Sequence, residues 1–126
     1  MTNQVTGLRR IINAAGYSWK GYKAAWQHEA AFRQEVILGT FGTVIALLLP
    51  VSVLAKLVLI GSMVLVIIVE LLNSAIEAVV DRFGDEWHTL CGRAKDMGSA
   101  AVLLALLWSL AVWIALLVES WHYYFR

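Results

Sequence analysis

Three long apolar segments dominate the pattern of this chain. Residues 36–55 are twenty positions without a charge, residues 57–69 are thirteen, and residues 98–118 are twenty-one. About twenty helical residues, at 1.5 Å per residue, cross the ~30 Å hydrocarbon core of a bilayer. Pro50 is expected to end the first of these helices. The pattern therefore predicts membrane spans over residues 36–50, 57–80 and 98–118, and a polar loop over residues 82–97.

The segment before these spans, residues 7–28, has the period of an amphipathic helix. One face carries seven apolar or aromatic residues, namely Leu8, Ile11, Ile12, Ala15, Trp19, Tyr22 and Trp26. This pattern is typical of a helix that lies in the membrane surface, with its Trp rings at the level of the lipid headgroups. Packing on a partner protein is the alternative. The sequence thus predicts a single all-α membrane domain over residues 1–126, with a surface helix and three transmembrane helices.

Composition and charge agree with a membrane protein. Hydrophobic residues make up 60% of the chain and charged residues 15%, which is too apolar for a soluble domain of this size. The formal net charge of +1 gives no electrostatic basis for nucleic-acid binding. Cys91 is the single cysteine, which excludes an intrachain disulfide and a metal cluster built on thiolates.

Basic residues are unequally divided between the two ends of the predicted spans. Eight lie in the N-terminal segment or in the loop after the second span, whereas only Lys56 and Arg126 lie on the other side. Basic residues are enriched in cytoplasmic loops of membrane proteins. The N-terminus and the polar loop are therefore predicted to be cytoplasmic.

The second span carries a row of polar residues on one face. Glu70, Asn73, Ser74, Glu77 and Asp81 share one side of a helix with about 100° per residue, and we call them the acidic stripe. A carboxylate at membrane depth costs roughly 2.5 to 3.5 kcal/mol on insertion scales, so such residues usually mark a functional site. The stripe is therefore expected to face a protein interior or an aqueous cleft.

The chemistry of these side chains favours a hard cation. Carboxylates without a Cys pair or clustered His suit Mg²⁺, which commonly bridges one or two carboxylates and substrate phosphates. Glu77 and Glu29 are candidate ligands, and Glu70, the deepest acid, is a candidate general base. Lys95 and Arg10 are candidates for holding phosphate oxygens.

The residues alone leave two functions open. The chain has neither a GxxxxGK[ST] loop nor a GxGxxG motif, so nothing in its spacing identifies a kinase. One interpretation is a metal-dependent enzyme that acts on a lipid headgroup, and the other is a small exporter that couples a membrane carboxylate to protons. The shallow acids and the basic loop favour the enzyme.

Four sequence blocks carry a resemblance to a known family. AAGYSWKG (14–21), EAAFRQE (29–35), VELLNSAIEAVVDR (69–82) and GRAKDMGSAA (92–101) resemble the signature blocks of the bacterial integral-membrane diacylglycerol kinases. The resemblance implies an inner-membrane enzyme that transfers the γ-phosphoryl group of ATP, with Mg²⁺, to diacylglycerol and forms phosphatidic acid. A related branch phosphorylates undecaprenol, but the blocks resemble the diacylglycerol branch more closely.

The same resemblance implies roles for individual residues. Glu70 would be the general base, with Asn73 beside it and Lys95 assisting, and Glu29 and Glu77 would bind the cation. The ATP contacts would be Arg10, Tyr17, Glu29, Glu77, Glu86, Trp87, His88, Lys95 and Asp96. The lipid side would be lined by Ala14, Trp19, Arg33, Gln34, Glu70 and Ser99. Asn13 departs from the family pattern, since a basic residue is expected there.

An oligomer is expected on two grounds. Three helices of one protomer cannot enclose both a nucleotide and a lipid, and a lone acidic stripe would otherwise face hydrocarbon. The resemblance implies a homotrimeric helical bundle with active sites shared between neighbouring subunits.

Overall fold

All four regular elements in the part of the chain that the structure describes are α-helices. The computed structural model describes residues 6–83 and 88–124. Helix α1 spans Leu8–His28, α2 Ala30–Leu48, α3 Val53–Asp81 and α4 Thr89–Tyr124. Within the described residues, three helices are long and apolar enough to cross a membrane, over Ala30–Leu48, Val53–Asp81 and Thr89–Tyr123. The predicted all-helical fold with three candidate spans is confirmed.

The helices extend beyond the apolar runs that reveal them. Helix α2 begins at Ala30 although its uncharged run starts at Val36, and α3 continues through Asp81. The largest difference concerns the predicted loop over 82–97, because α4 begins at Thr89 and residues 89–97 form its first turns. Hydropathy detects residues that contact hydrocarbon, whereas a helix needs only its backbone hydrogen bonds and continues into the polar interface.

His88 begins helix α4. Its Nδ1 atom accepts a hydrogen bond from the backbone N–H of Leu90 at 3.1 Å, and its carbonyl oxygen accepts one from the N–H of Gly92 at 3.0 Å. The first N–H groups of a helix have no partner within the helix, so a side-chain acceptor at this position stabilises the start. His88 therefore has a structural role in addition to the nucleotide contact predicted for it.

A short turn joins α2 to α3. Helix α2 ends at Leu48, two residues before Pro50, since the residue before a proline avoids the helical conformation. Ser52 begins α3, where its Oγ accepts a hydrogen bond from the N–H of Ala55 at 3.1 Å. The Lys56 ammonium donates to the carbonyl oxygen of Leu47 at 2.8 Å and so satisfies an acceptor in the last turn of α2.

Helix α3 packs between α2 and α4. Ala46, Leu59 and Val112, one residue from each helix, form a buried apolar cluster. Ser62 and Ser109 lie 3.0 Å apart, Oγ to Oγ, and link α3 to α4 inside the apolar layer, where such hydrogen bonds help hold helices together. The helix that carries the acidic stripe is thus the central element of the protomer.

The outer faces of α2, α3 and α4 carry many exposed apolar side chains. Leu48, Leu54 and Leu104 have 79%, 72% and 70% of their surface exposed. Apolar surface of this extent is covered by lipid or by neighbouring protein in a membrane. The outer faces of α2, α3 and α4 are therefore adapted to a hydrocarbon or protein environment.

Candidate active site

The acidic stripe runs from the buried middle of α3 to its exposed end. Glu70 is buried, with 6% of its surface exposed. Asn73, Ser74 and Glu77 are half-buried, and Asp81 is exposed. Since the exposure of these side chains rises toward the C-terminus of α3, the stripe connects the protein interior with the polar end of the helix.

Helix α4 meets the exposed half of the stripe. The Lys95 ammonium forms an ion pair with Asp81, with 2.7 Å between Nζ and Oδ1. One turn deeper, Asn73 donates from Nδ2 to Oε1 of Glu77 at 3.4 Å. The structure thus brings Lys95, predicted to act on phosphate, to the end of the stripe. Its pairing with Asp81 was not predicted, because the two residues lie on different helices.

Glu29 forms the corner between α1 and α2. Its backbone is extended, with φ −118° and ψ 105°, so α1 ends and α2 begins at this residue. The guanidinium of Arg33 donates from Nη1 to the carbonyl oxygens of Trp26 and Gln27, at 2.7 and 3.3 Å. These acceptors lack partners within α1, so Arg33 ties the last turn of α1 to α2 and holds the corner.

Three other carboxylates, from three parts of the chain, act electrostatically on Glu70. Glu35, Glu77 and Glu29 lie close enough to Glu70 for their negative charges to act on it. Like charges repel more strongly where little water surrounds them, so this arrangement of charges favours a cation nearby. Glu35 was not among the predicted site residues. Its one signal in the sequence is an acid directly before an apolar run.

The donor set fits Mg²⁺ only in combination with a substrate. Among the described residues, no group of three or more His, Cys, Asp or Glu side chains is arranged to hold a metal ion. Mg²⁺ retains several waters and usually binds one or two carboxylates together with substrate phosphates. Glu29 and Glu77 are carboxylates of the kind that such a cation binds, so the chemistry of the donor set is compatible with a cation that arrives with a nucleotide.

Two hollows border α1. The first has a volume of about 520 Å³ and lies between α1 and α3. Its walls include Glu29 and Ser74, together with Ser18, Gly21, Tyr22, Ala24, Ala25, His28, Leu71, Ala75 and Ala78. The second is an apolar groove of about 500 Å³ between α1, α2 and α3, lined by Trp19, Tyr22, Lys23, Trp26, Gln27, Phe32, Val36 and Ile67. Both volumes are in the range of small-molecule sites.

Several predicted residues lie on open surface of the protomer. These are Arg10, Ala14 and Tyr17 on α1, Gln34 on α2, and Asp96 and Ser99 on α4. Tyr17 has its ring 5.9 Å from the ammonium of Lys20. Glu86 and Trp87 lie outside the described residues. One protomer therefore gathers the carboxylates of the predicted site, while most of the predicted nucleotide contacts stay exposed.

Comparison with known protein families identifies the family of this chain. The model of the prokaryotic diacylglycerol kinase family matches residues 16–117. The chain belongs to this family. The resemblance carried by the four sequence blocks is thereby confirmed, as is the expectation that the chain is a kinase. The diacylglycerol kinase match includes all of α2 and α3, and hence the acidic stripe.

Individual diacylglycerol kinases match nearly the whole chain. The enzyme of Escherichia coli (strain K12) is 59% identical over 117 residues, which are 93% of this chain and 96% of the relative. The enzyme of Pseudomonas aeruginosa is 50% identical over 113 residues, 90% of this chain and 92% of the relative. That of Helicobacter pylori (strain 26695) is 45% identical over 107 residues, 85% and 84% of the two chains.

Replacing Arg33 by Ala tests the corner at Glu29. The substitution removes both hydrogen bonds to the last turn of α1, and a charge-assisted hydrogen bond at an exposed site contributes about 1 kcal/mol. We therefore expect the backbone amides of the last turn of α1 to exchange with deuterium ~5-fold faster than in the wild type. Mass spectrometry of the protein in detergent micelles measures this exchange.

Arg93→Ala is the matched control, because it removes an exposed guanidinium from α4. It should leave exchange in α1 unchanged. Identical exchange of α1 in Arg33→Ala and wild type would show that Arg33 does not hold the corner.

Proposed function

We propose that the chain is a lipid kinase that transfers the γ-phosphoryl group of ATP to the free hydroxyl of diacylglycerol and forms phosphatidic acid. The position of Glu70 carries the proposal: its carboxylate is buried at the deep end of a stripe whose other end is exposed. A lipid hydroxyl approaches such a stripe from the membrane, and a nucleotide approaches it from water. Relatives named diacylglycerol kinase support this lipid substrate.

Glu70 acts as the general base. Its carboxylate accepts the proton of the lipid hydroxyl while the hydroxyl oxygen bonds to the γ-phosphorus of ATP, and the bond from phosphorus to the β-γ bridging oxygen breaks to release ADP. Asn73 lies one turn closer to the exposed end and is the polar neighbour of the base. A positioned general base contributes roughly 10²- to 10⁴-fold to the rate.

Glu29 and Glu77 are the residues that would hold Mg²⁺ with the nucleotide. A divalent cation bound there would neutralise charge on the β- and γ-phosphate oxygens. The two carboxylates come from the corner between α1 and α2 and from the half-buried part of α3, and both act electrostatically on Glu70. The repulsion within this group of acids explains why an electropositive species is needed before the anionic phosphates enter.

Lys95 assists by holding phosphate oxygens. Its ammonium is paired with Asp81 at an exposed position, and exposed ion pairs contribute little free energy. Incoming phosphates can therefore compete with Asp81 for the ammonium. The remaining proposed nucleotide contacts are Arg10, Tyr17, Glu86, Trp87, His88 and Asp96.

The lipid is proposed to approach along α1. The apolar groove beside Trp19 offers aromatic and aliphatic walls for an acyl chain, with Lys23 at its edge. Ala14, Arg33, Gln34 and Ser99 would complete the lipid side. Helix α1 would lie in the surface of the bacterial inner membrane, with the N-terminus and the active site on the cytoplasmic side, where ATP is available.

The active enzyme is proposed to be a homotrimer with sites shared between subunits. In one protomer the carboxylates are assembled, but Arg10, Tyr17 and Asp96 remain exposed. The apolar outer faces of the long helices allow a second and a third copy to pack against the stripe side. A neighbour would then supply the cover that a nucleotide and a lipid require together.

A transfer assay tests the activity. Purified protein in mixed micelles with Mg²⁺, diacylglycerol and ATP labelled in the γ-phosphate should move label into the lipid phase. Glu70→Gln keeps the shape of the side chain but removes its basicity, so the rate should fall ~10²- to 10⁴-fold with the fold intact. Glu119→Gln, at the far end of α4, is the matched control and should retain the wild-type rate.

The same assay separates the alternatives. Preferential labelling of undecaprenol over diacylglycerol would assign the chain to the undecaprenol branch of the family. Absence of label from both lipids would contradict the kinase and leave proton-coupled export as the function of the deep carboxylate. Wild-type activity in Glu70→Gln would remove Glu70 from the role of base.

Glu77→Gln tests the assignment of the cation. Loss of one carboxylate ligand should raise the Mg²⁺ concentration that gives half-maximal rate at least ~10-fold, since even indirect metal contacts have effects of this size. The measurement is a Mg²⁺ titration of lipid phosphorylation at fixed ATP. A titration that superimposes on that of the wild type would exclude Glu77 as a ligand.

The mass of the active species tests the assembly. Three copies of the 14.0 kDa chain are expected in the detergent-corrected mass from light scattering of the fraction that carries lipid kinase activity. An active fraction with the mass of one chain would contradict the proposal that subunits share the site.

A further inference from the structure

Helix α4 crosses α3 at Gly98 without space for a side chain. Gly98 is buried. A Cβ atom built on this residue would overlap Oδ1 of Asn73, and it would lie 3.2 Å from Cγ and 3.9 Å from Cβ of the same side chain. The carboxamide of Asn73 therefore occupies the volume that any larger residue at position 98 would need.

The same carboxamide is connected to the proposed cation ligand. Its Nδ2 donates to Oε1 of Glu77 at 3.4 Å. Its Oδ1 is buried and makes no hydrogen bond within the part of the chain that the structure describes. A buried acceptor without a donor is unfavourable, so other contacts must hold the Asn73 side chain in this conformation. Two features do so: the space beside Gly98 accommodates the carboxamide, and Glu77 accepts its hydrogen bond.

We propose that Gly98 is a positioning residue of the kinase site, which acts through Asn73 on Glu77. The missing side chain leaves room for the Asn73 carboxamide, and the carboxamide in turn orients the Glu77 carboxylate by its hydrogen bond. Groups that bond to a metal ligand commonly tune metal affinity although they never touch the metal. The inference rests on the proposed function where it assigns Glu77 to the cation.

Helix propensity and the contact with Asn73 have opposite effects on the stability of Gly98→Ala. Alanine is a better helix former than glycine, so Gly→Ala inside a helix stabilises it where nothing obstructs the new methyl group. At position 98 the methyl group meets the Asn73 carboxamide, which must rotate away and give up its hydrogen bond to Glu77. Gly98→Ala should therefore lower stability and weaken the cation site together.

The test uses four variants and two measurements. Gly98→Ala, Asn73→Ala and the double variant report on the pair. Gly39→Ala is the packing control, because its Cβ would contact Ile67 Cδ1 at 3.4 Å between α2 and α3. Tm is measured by thermal unfolding in detergent without metal or substrates. The apparent Mg²⁺ affinity is measured from the rise of Tm with MgCl₂ at fixed ATP, and in parallel from the Mg²⁺ dependence of lipid phosphorylation.

Gly98→Ala is expected to lower Tm by several degrees and to raise the half-saturating Mg²⁺ concentration ~3- to 10-fold, the size of one lost hydrogen bond of ordinary strength. Gly39→Ala should leave Mg²⁺ half-saturation unchanged whatever its Tm. In the Asn73→Ala background the methyl group has no carboxamide to displace, so adding Gly98→Ala should leave Mg²⁺ half-saturation unchanged and should raise Tm slightly through helix propensity instead of lowering it. This coupling between the two positions is the signature of the proposal.

Three outcomes would overturn it. One is a Tm loss from Gly98→Ala that is equally large in the Asn73→Ala background. Another is a lowered Tm with Mg²⁺ half-saturation like that of the wild type, which would leave Gly98 a packing role only. If Gly98→Ala does not fold, the double variant should recover folded protein, and its failure to do so also excludes the mechanism. Because Tm needs no substrate, a wild type without kinase activity would contradict the proposed function and leave the coupling measurable.

Discussion

The free energy needed to place carboxylates inside an apolar helix constrains the whole structure. Glu70 lies in a helix that is long and apolar enough to cross a membrane, and it is almost completely buried. An ionised carboxylate tolerates such a position only if protein or a bound cation replaces the lost water. The arrangement of the helices meets this need at the deep end of the stripe, since α3 lies between α2 and α4 and Glu70 is buried by protein.

Each neighbour of α3 covers a different depth of the stripe. The corner between α1 and α2, held by Arg33, brings Glu29 toward the buried end. Helix α4 covers the middle with Gly98 and the exposed end with Lys95. The two kinds of contact are chemically distinct, because the first adds negative charge while the second adds a cation and close backbone packing. Negative charge thus accumulates toward the buried end of the stripe, whereas at the exposed end Lys95 compensates the charge of Asp81.

The features that depend on a single helix could be predicted from the sequence. Apolar runs revealed the three candidate spans, and periodicity placed Glu70, Asn73 and Glu77 on one face of α3. The beginning of α4 at Thr89 was missed because hydropathy measures lipid contact, and a polar first turn has none. Periodicity does not encode how two helices meet. It therefore could not predict the ion pair of Asp81 with Lys95, the action of Glu35 on Glu70, or the contact of Gly98 with Asn73. Roles for Tyr17 and Ser99 came from family resemblance and have no separate physical argument.

The joint at Glu29 has a mechanical consequence. One residue in extended conformation connects two helices of 21 and 19 residues, so a few backbone torsions, together with the hydrogen bonds of Arg33, set the angle between α1 and α2. Those torsions belong to the residue whose carboxylate faces the other acids. Any change in the angle between α1 and α2 consequently moves that carboxylate relative to the acids of α3, so the orientation of α1 and the spacing of the negative charges are coupled.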